Sequence, residues 1–283
     1  MTLITVVGSV NLDLVARAPV LPRPGETITD ATFERHPGGK GANQALAARR
    51  MGAEVRLIGC IGDDSEAIAA TRLVRDAGVD LSRTRTVPDA HTGIALIVVD
   101  ADGQNQIVVA PGANRTLAPD DVELSDTDVV ICQLEIPVDV VARAVEQAPF
   151  SVLNCAPARP LPEGLLANCD VVVVNETERA FYGAALDDAA VVIVTLGAEG
   201  AAAFRKGTEV ARVPSLRVEA IDTVGAGDTF VGTLAVELAS GRALDTAMGM
   251  AAAAGAVATT RPGAQPAIPT RAEVTARMQE EDR

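Results

Sequence analysis

The chain has 283 residues, which is long enough to bury a large core as one α/β domain or as a domain with an appendage. Hydrophobic residues make up 48% of it, which excludes a largely disordered protein. A formal net charge of −14 argues against nucleic acids and anionic membranes as partners, and an aromatic content of 2% without tryptophan argues against base stacking.

The predicted strands are six runs rich in β-branched residues. They cover residues 3–8, 54–59, 128–134, 151–155, 170–175 and 191–197. Their apolar residues are continuous rather than alternating, which is typical of strands buried on both faces of a sheet. Polar residues stand at their C-terminal ends, which is where doubly wound folds bind ligands.

Ala-rich helical patterns alternate with these strands. They cover roughly residues 41–51, 65–77, 138–148, 228–239, 244–258 and 271–280. The alternation predicts an α/β fold with a doubly wound, mostly parallel central sheet and helices on both faces.

Two segments, residues 12–35 and 91–110, interrupt the alternation. Both have extended patterns, and the second contains a hairpin signal at Asp102-Gly103. We expect them to form a small antiparallel β-sheet that acts as a lid. No internal repeat or flexible linker is evident, so residues 1–283 are interpreted as a single domain.

The cysteines and histidines bear on metal binding and location. The four cysteines are Cys60, Cys132, Cys155 and Cys169, with no CxxC pair. We expect them to be reduced and mostly buried, as in a cytoplasmic protein. His36 and His91 are too few and too far apart in sequence to predict a zinc site. Because no basic leader and no apolar run of about twenty residues is present, we expect a soluble intracellular protein.

Polar residues follow several predicted strands. Asn11 and Asp13 stand two apart after the first strand, a spacing that puts an amide and a carboxylate on one side of an extended chain. Such a pair suits the vicinal hydroxyls of a sugar, although ordinary turn residues are an alternative. Other strand ends carry Glu135, Asn175, Glu178, Thr195 and Gly197.

The stretch PGGKGANQA, residues 37–45, opens a predicted helix with paired glycines. Lys40 is followed by Gly41, so the stretch is not a P-loop, and it does not fit GxGxxG. Either a polyhydroxylated ligand contacts the backbone here, with Lys40 and Asn43 as polar partners, or the stretch is an ordinary capped helix with a tight turn. The residues alone leave both interpretations open.

The stretch TVGAGDTFVG, residues 223–232, leads through Gly225, Ala226 and Gly227 into Asp228 and an apolar-rich helix. Glycines at a loop-to-helix junction let backbone N–H groups approach an anion, and the helix N-terminus adds positive potential. An ordinary capped turn explains the same residues about as well.

Taken in order, these motifs resemble the ribokinase family of sugar kinases. The matching stretches are GSVNLD, GGKGANQA, PGAN, QLEIP, NCAPAR, NETE, VTLGAEG, DTVGAGDTF and TRPGAQPAIP. They cover nearly the whole chain, and GGKGAN and DTVGAGD are the two signatures of that family.

The resemblance implies transfer of the ATP γ-phosphoryl group to the 5-hydroxyl of D-ribose. Asp228 would take the hydroxyl proton, while the N–H groups of Gly225, Ala226 and Gly227 would hold the transferring phosphoryl. The residues implied in ribose binding are Asn11, Leu12, Asp13, Gly39, Lys40, Gly41, Ala42, Asn43, Glu135 and Asp228.

The resemblance also implies ATP, Mg²⁺ and K⁺ sites. The implied ATP residues are Asn175, Thr195, Leu196, Gly197, Ala198, Glu199, Gly200, Gly227 and Ala252. Glu178 would help to place Mg²⁺ through water. The implied K⁺ residues are Asp222, Val224, Ala258, Arg261, Gly263 and Ala267. The alternative is that Asp222 only caps a turn.

Three features depart from the family pattern. Residues 179–190 leave room for only a short helix, Ala252 replaces a polar residue near the adenine, and Ala267 replaces a hydroxyl residue near the cation. One alternative is a kinase of another pentose, a deoxysugar or a nucleoside, because the sequence does not define the pocket walls that the lid supplies. The other is a sugar-binding relative without catalysis, which the short 179–190 segment leaves open. Apolar side chains on the lid strands lead us to expect a homodimer formed through the lid, as the resemblance also implies.

Overall fold

The structure is a computed structural model that describes residues 2–281. Its strands are β1 (Leu3–Val7), β2 (Asn11–Arg17), β3 (Thr32–Gly38), β4 (Glu54–Gly62), β5 (Thr84–Val87), β6 (Gly93–Val99), β7 (Asn105–Ala110), β8 (Val129–Gln133), β9 (Ser151–Asn154), β10 (Val171–Asn175), β11 (Val192–Thr195), β12 (Ala201–Arg205) and β13 (Thr208–Val213). Its α-helices are α1 (Lys40–Arg50), α2 (Ser65–Asp76), α3 (Val138–Gln147), α4 (Glu176–Tyr182), α5 (Ala226–Ala239), α6 (Leu244–Ala258), α7 (Ala264–Ala267) and α8 (Arg271–Glu281).

The central sheet has nine strands within the described residues, in the order β13-β12-β11-β10-β9-β8-β1-β4-β5. All pairings from β11 to β5 are parallel, and β12 and β13 add an antiparallel edge. The predicted mostly parallel sheet is confirmed, and every predicted core strand is present. Strands β5, β12 and β13 are not among the predicted strands, and the strand predicted at 191–197 ends at Thr195.

Apolar side chains cover both faces of this sheet. One layer packs Ile4, Val6 and Leu57 against Leu46 of α1 and Leu234 of α5. The other layer packs strand side chains of the opposite face against α3. Because successive residues of a strand point to opposite faces, the continuous apolar runs fill both layers. All four cysteines are buried and free, as predicted.

All six predicted helices are present in the described residues. Two further short helices, α4 and α7, are not in the list of predicted helices. The region of residues 179–190 forms the end of α4 and a 3₁₀ segment, Gly183–Asp188, in agreement with the expected short helix. The other short helix is α7. None of the helices in residues 2–281 combines the length and the hydropathy of a membrane-spanning segment.

The two interrupting segments form a four-stranded sheet in the order β3-β2-β6-β7. Its outer pairings are antiparallel, and β6 and β7 join at the predicted hairpin, where Gly103 has a φ of 80°. Its central pairing, β2 with β6, is parallel. Between these two strands the chain forms β3 and then β4 and β5 of the central sheet, so β2 and β6 are not joined by a hairpin. The strands in the first segment run from Asn11 to Gly38, slightly beyond the predicted limits.

Candidate active site

Asp228 lies in the first turn of α5, with 6% of its surface exposed. Asn43 Nδ2 donates to its Oδ2 at 2.8 Å, and Gln44 Nε2 donates to its Oδ1 at 2.9 Å. Two Gly-rich motifs that are far apart in sequence therefore meet at one carboxylate. The side chains that meet come from the first two turns of α1 and the first turn of α5.

The turn before Asp228 depends on glycine at one position and leaves space at another. Gly225 has a φ of 78°, and a Cβ on it would lie 2.9 Å from the Cα of Ala264. A Cβ on Gly227 would meet no atom within 4 Å. Ala226 N donates to Thr223 O at 3.3 Å, whereas no acceptor within residues 2–281 pairs with the N–H of Gly225 or Gly227. Such free N–H groups at a helix start suit an anion.

The glycines before and in α1 serve close packing. Gly39 has a φ of 85°, and a Cβ on it would lie 2.7 Å from the backbone nitrogen of Asn11. A Cβ on Gly41 would lie 2.5 Å from the backbone nitrogen of Ser9. Ala42 N donates to Ser9 O at 2.9 Å, so the helix start is bonded directly to the loop between β1 and β2. These contacts favour the tight-turn interpretation of the two glycines. The backbone of Gly39 nevertheless lies beside Asn11, one of the predicted sugar-binding residues.

Polar side chains predicted to hold a sugar gather beside this loop. Asn11 Oδ1 accepts from Asn114 Nδ2 at 2.8 Å. Glu135 Oε2 accepts from Ser9 Oγ at 2.5 Å and from Lys40 N at 3.1 Å. These bonds fix the direction of both side chains before any ligand arrives.

Asp13 lies next to this cluster on β2, where a side chain at Gly38 would collide with its carboxylate. Burial, with a further contribution from the charge of Glu135, raises the pKa of Asp13 to about 7. Its charge state therefore changes near neutral pH. The other two predicted sugar residues, Leu12 and Ala42, are buried with apolar side chains that offer no hydrogen bond.

A polar cavity of about 240 Å³ opens beside Asp228. It is lined by Lys40, Asn154, Ala156, Val173, Val174, Asn175, Glu178, Thr195, Thr223, Gly225, Gly227, Asp228 and Val231. The Asp228 carboxylate, opposed by burial, raises the pKa of Lys40, so an ammonium group faces the carboxylates here. Burial raises the pKa of Glu178.

Asn175 and Glu178 form a reciprocal cap at the start of α4. Asn175 Oδ1 accepts from Glu178 N, and Glu178 Oε2 accepts from Asn175 N, both at 2.8 Å. This capping box explains the spacing of the NETE motif and orients both side chains at the polar cavity.

An apolar cavity of about 440 Å³ adjoins the polar one, and the two share Thr195, Thr223 and Gly227. It is lined by Thr195, Gly197, Ala198, Gly200, Ser215, Leu216, Arg217, Val218, Ala220, Thr223, Ala226, Gly227, Phe230, Ala252, Gly255, Ala256 and Thr259. Of the predicted ATP residues, Leu196 and Glu199 are not in its lining, and Asn175 lines the polar cavity instead.

The predicted cation loops meet at Asp222. Its Oδ1 accepts from Val224 N at 3.0 Å and its Oδ2 accepts from Gly263 N at 2.9 Å. Asp222 thus bonds the turn before α5 to the loop after α6. Within the described part of the chain, no hydrogen bond reaches the carbonyl oxygens of Val224, Ala258 or Arg261. Ala267 is fully buried in α7, on the same loop.

Sequence reasoning missed several residues of this region. Gln44, Asn114 and Asn154 belong to stretches that matched the family, yet they received no role, because their hydrogen-bond partners are distant in sequence and only the fold brings them together. Residues 215–220 form part of the wall of the apolar cavity. They carry no sequence motif, so only the fold shows that they lie there.

Comparison with known proteins agrees with this geometry. Residues 1–271 match the family described as pfkB family carbohydrate kinase. The chain is 38% identical to the ribokinase of Haemophilus influenzae, over 95% of this chain and 96% of that protein, and 33% identical to the deoxyribokinase of Salmonella typhi, over 94% and 95%. It is similar to the structure of Arabidopsis thaliana ribokinase complexed with ribose and ATP, with a TM-score of 0.88, 30% identity and 99% of each chain covered. The resemblance inferred from the motifs is confirmed, and the chain belongs to the pfkB family of carbohydrate kinases.

Proposed function

We propose that this protein transfers the γ-phosphoryl group of ATP to the 5-hydroxyl of D-ribose, giving D-ribose 5-phosphate and ADP. The observation that carries the proposal is the position of Asp228. Its carboxylate lines the polar cavity beside Gly227, and Gly227 also lines the apolar cavity that would take the nucleotide. The proposed base, a helix start that suits an anion and a cavity of about 440 Å³ thus adjoin one another.

The sugar would lie between β2, the start of α1 and Glu135. Asn11, Asp13 and Glu135 supply an amide and two carboxylates, which suit hydroxyl groups that both donate and accept hydrogen bonds. Asn43 Oδ1 is buried without a donor in the described residues, so it can accept from a sugar hydroxyl after a small adjustment. The backbone of Gly39, Lys40 and their neighbours would complete the pocket, with the four-stranded sheet above it as a lid.

Proton transfer is assigned to Asp228. Its carboxylate accepts the proton of the 5-hydroxyl as that oxygen attacks the γ-phosphorus, and the bond to the leaving oxygen of ADP breaks. The N–H groups of Gly225, Ala226 and Gly227, with the dipole of α5, would stabilise the charge on the transferring phosphoryl. The Lys40 ammonium lines the same cavity and adds positive charge there.

The apolar cavity is proposed to hold the adenosine part of ATP. Its predicted residues Thr195, Gly197, Ala198, Gly200 and Ala252 offer small side chains that leave room for a planar base. Asn175 would reach the phosphates from the polar cavity, since its side-chain nitrogen is not used in the cap with Glu178. ATP binding thus needs contributions from both cavities.

Magnesium is proposed to bind with ATP at the polar cavity. The bound ion would neutralise phosphate charge and hold the phosphoryl group in line. Glu178 fits an indirect role, through water, because one of its oxygens already accepts from Asn175 N. Among the described residues, no cluster of three or more carboxylate, histidine or cysteine ligands offers an all-protein site.

Potassium is proposed to bind beside Asp222. The carbonyl oxygens of Val224, Ala258 and Arg261 accept no hydrogen bond in the described residues, so they fit a cation that prefers rings of carbonyl oxygens. Gly263 and the Ala267 region would complete the ring, without a side-chain oxygen from Ala267. Because Asp222 accepts a hydrogen bond from the amide of Val224, a cation held by these residues would order the turn that contains Gly225.

Assembly as a homodimer through the lid is proposed from exposed apolar side chains. Phe33, Leu96, Ile107, Val108 and Val109 of the lid strands are 61%, 50%, 53%, 66% and 45% exposed. Three of these five side chains belong to β7, whereas Val15 of β2 is buried. We further propose that the chain works as one kinase domain in the cytoplasm, which its four free cysteines favour.

A second candidate function is phosphorylation of 2-deoxyribose, which the similarity to the Salmonella typhi deoxyribokinase supports. The test is an ADP-release assay with D-ribose, 2-deoxyribose, hexoses and nucleosides. If Asp13 and its neighbours bind the 2- and 3-hydroxyls, loss of the 2-hydroxyl leaves buried polar groups unpaired at a cost of about 1–3 kcal/mol each. D-Ribose should then exceed 2-deoxyribose in kcat/KM by at least about tenfold, and equal or reversed efficiencies would refute the ribose assignment.

A further inference from the structure

Among residues 2–281, Gln44 is the one side-chain partner of Asp228 that the mechanism has not used. Its side chain is fully buried, and it is absent from the lining of both described cavities. Its Nε2 donates to Asp228 Oδ1 at 2.9 Å and to Asn154 Oδ1 at 3.1 Å. Its Oε1 accepts from Gln133 Nε2 at 2.6 Å.

These three bonds fix the orientation of the Gln44 amide. The amide has two N–H donors, which point at two acceptor oxygens, and a carbonyl oxygen, which receives a donor. A flipped amide would bring its oxygen against the oxygens of Asp228 and Asn154 and its nitrogen against the amide nitrogen of Gln133. Gln44 therefore presents only a donor to Asp228.

The partners of Gln44 are themselves anchored in the central sheet. Gln133 ends β8 and Asn154 ends β9, and Asn154 Nδ2 donates to Val173 O on β10 at 3.3 Å. The network joins the carboxyl ends of neighbouring parallel strands to the first turn of α5. The direction of the Asp228 carboxylate is thereby set by side chains anchored at the carboxyl ends of β8 and β9.

We propose that Gln44 is a positioning residue for proton transfer: it holds Asp228 Oδ1 so that the carboxylate faces the sugar hydroxyl, and it acts only through Asp228. The inference rests on the proposed role of Asp228 as the base. Asn43 differs, because it is itself expected to contact the sugar. The terminal torsion of an aspartate is soft, so a carboxylate without this anchor samples unproductive directions.

The variant Gln44→Met tests the inference, since methionine has a similar length and no amide. It should lower kcat by about tenfold to a hundredfold, because misplacement of a reacting group by about 1 Å costs about that much. The KM for ribose and its dissociation constant should change by less than about threefold, since Gln44 is fully buried and all its side-chain hydrogen bonds go to Asp228, Asn154 and Gln133. A kcat within twofold of wild type, or a KM that rises as kcat stays constant, would overturn the inference.

A double-mutant cycle separates positioning from general damage. In the Asp228→Asn background, Gln44→Met should lower the residual kcat by less than about twofold, because the group on which it acts is gone. If the kcat losses of the two single variants multiply in the double variant, Gln44 does not act through Asp228. Thr233→Val is the matched control, because Thr233 is fully buried in α5 and its hydroxyl has no partner among the described residues. Its kcat should stay within twofold of wild type.

If Gln44→Met does not fold, Gln133→Met takes its place, and it should lower kcat less but in the same sense. The side-chain amide signals of Gln44 in ¹⁵N-labelled wild type give a readout without turnover. They should shift in Asp228→Asn, and unchanged signals would overturn the inference. A wild type inactive on every sugar would instead refute the proposed function, so the two failures are distinguishable.

Discussion

The two Gly-rich helix starts of this molecule look alike in sequence and differ in what their glycines do. At the start of α1, a Cβ on Gly39 or Gly41 would collide with backbone atoms of the loop between β1 and β2 and of the first residue of β2. At the start of α5, a Cβ on Gly227 would enter open space between the two cavities. The first motif uses its glycines to pack the protein against itself, whereas the second packs Gly225 against Ala264 and keeps space for a ligand at Gly227.

The carboxylate that follows the α5 glycines gives the largest expected effect. Asp228→Asn keeps the size of the side chain and removes the base, so kcat should fall by about 10²–10⁴-fold while ribose affinity changes much less. Steady-state kinetics and ribose titration measure both quantities. A variant that retains most of its kcat would remove Asp228 from the mechanism.

Replacing one glycine in each helix start tests the comparison itself. Gly227→Ala should leave stability unchanged or raise it by about 0.5–1 kcal/mol, because alanine is the better helix residue, while kcat/KM for ATP falls by about tenfold or more. Gly41→Ala should instead destabilise the fold by about 1–3 kcal/mol, because its Cβ would meet backbone.

Thermal unfolding measures the stability of the two variants, and steady-state kinetics measures their kcat/KM for ATP. The reverse pattern, with Gly227→Ala unstable and Gly41→Ala stable, would show that the difference between the two helix starts has been assigned the wrong way round.

The sugar side of the α1 start should respond to pH through Asp13. Its pKa of about 7 in the free protein means that the ionised fraction rises between pH 6 and pH 8. A carboxylate accepts stronger hydrogen bonds from sugar hydroxyls than the neutral acid does, so the KM for ribose should fall by up to about tenfold over this range. Asp13→Asn should bind more weakly and lose this pH dependence. A ribose KM that rises with pH would contradict the assignment.

The smallest expected effect concerns the cation beside the α5 turn. Wild-type rates should be higher in K⁺ than in Na⁺ or choline at matched ionic strength, because carbonyl rings suit a large, weakly hydrated ion. Asp222→Ala should abolish this preference and lower kcat together. Equal rates in the three salts would leave Asp222 as the cap of a turn, which its bonds to Val224 N and Gly263 N already make it.

Sequence patterns predicted the central strands because their apolar runs are long and bounded by polar ends. They missed β12, whose sequence AAAFR favours a helix and which is a strand only because it pairs with β11. They identified the meeting of strand ends at one edge of the sheet, since parallel strands share that edge. They could not identify Gln44, because its partner Asp228 is 184 residues away and only the fold brings the two together.

The same limit explains the two helix starts. Their sequences left packing and ligand binding equally open, because the distinction depends on what lies opposite each missing Cβ. Atoms of Ser9 and Asn11 lie opposite the first set of glycines, and a cavity lies opposite Gly227. Long-range packing, which local propensity does not encode, decides between the two uses.

The central claim, phosphoryl transfer to the 5-hydroxyl of ribose, is tested most directly by identifying the product. Purified protein is incubated with D-ribose, ATP and Mg²⁺ in K⁺ buffer, and the mixture is followed by ³¹P NMR. We expect ADP and one sugar phosphate in equal amounts, with the phosphorus coupled to the methylene protons of C5. ADP without a sugar phosphate, or phosphorus coupled to the single proton of C1, would contradict the account.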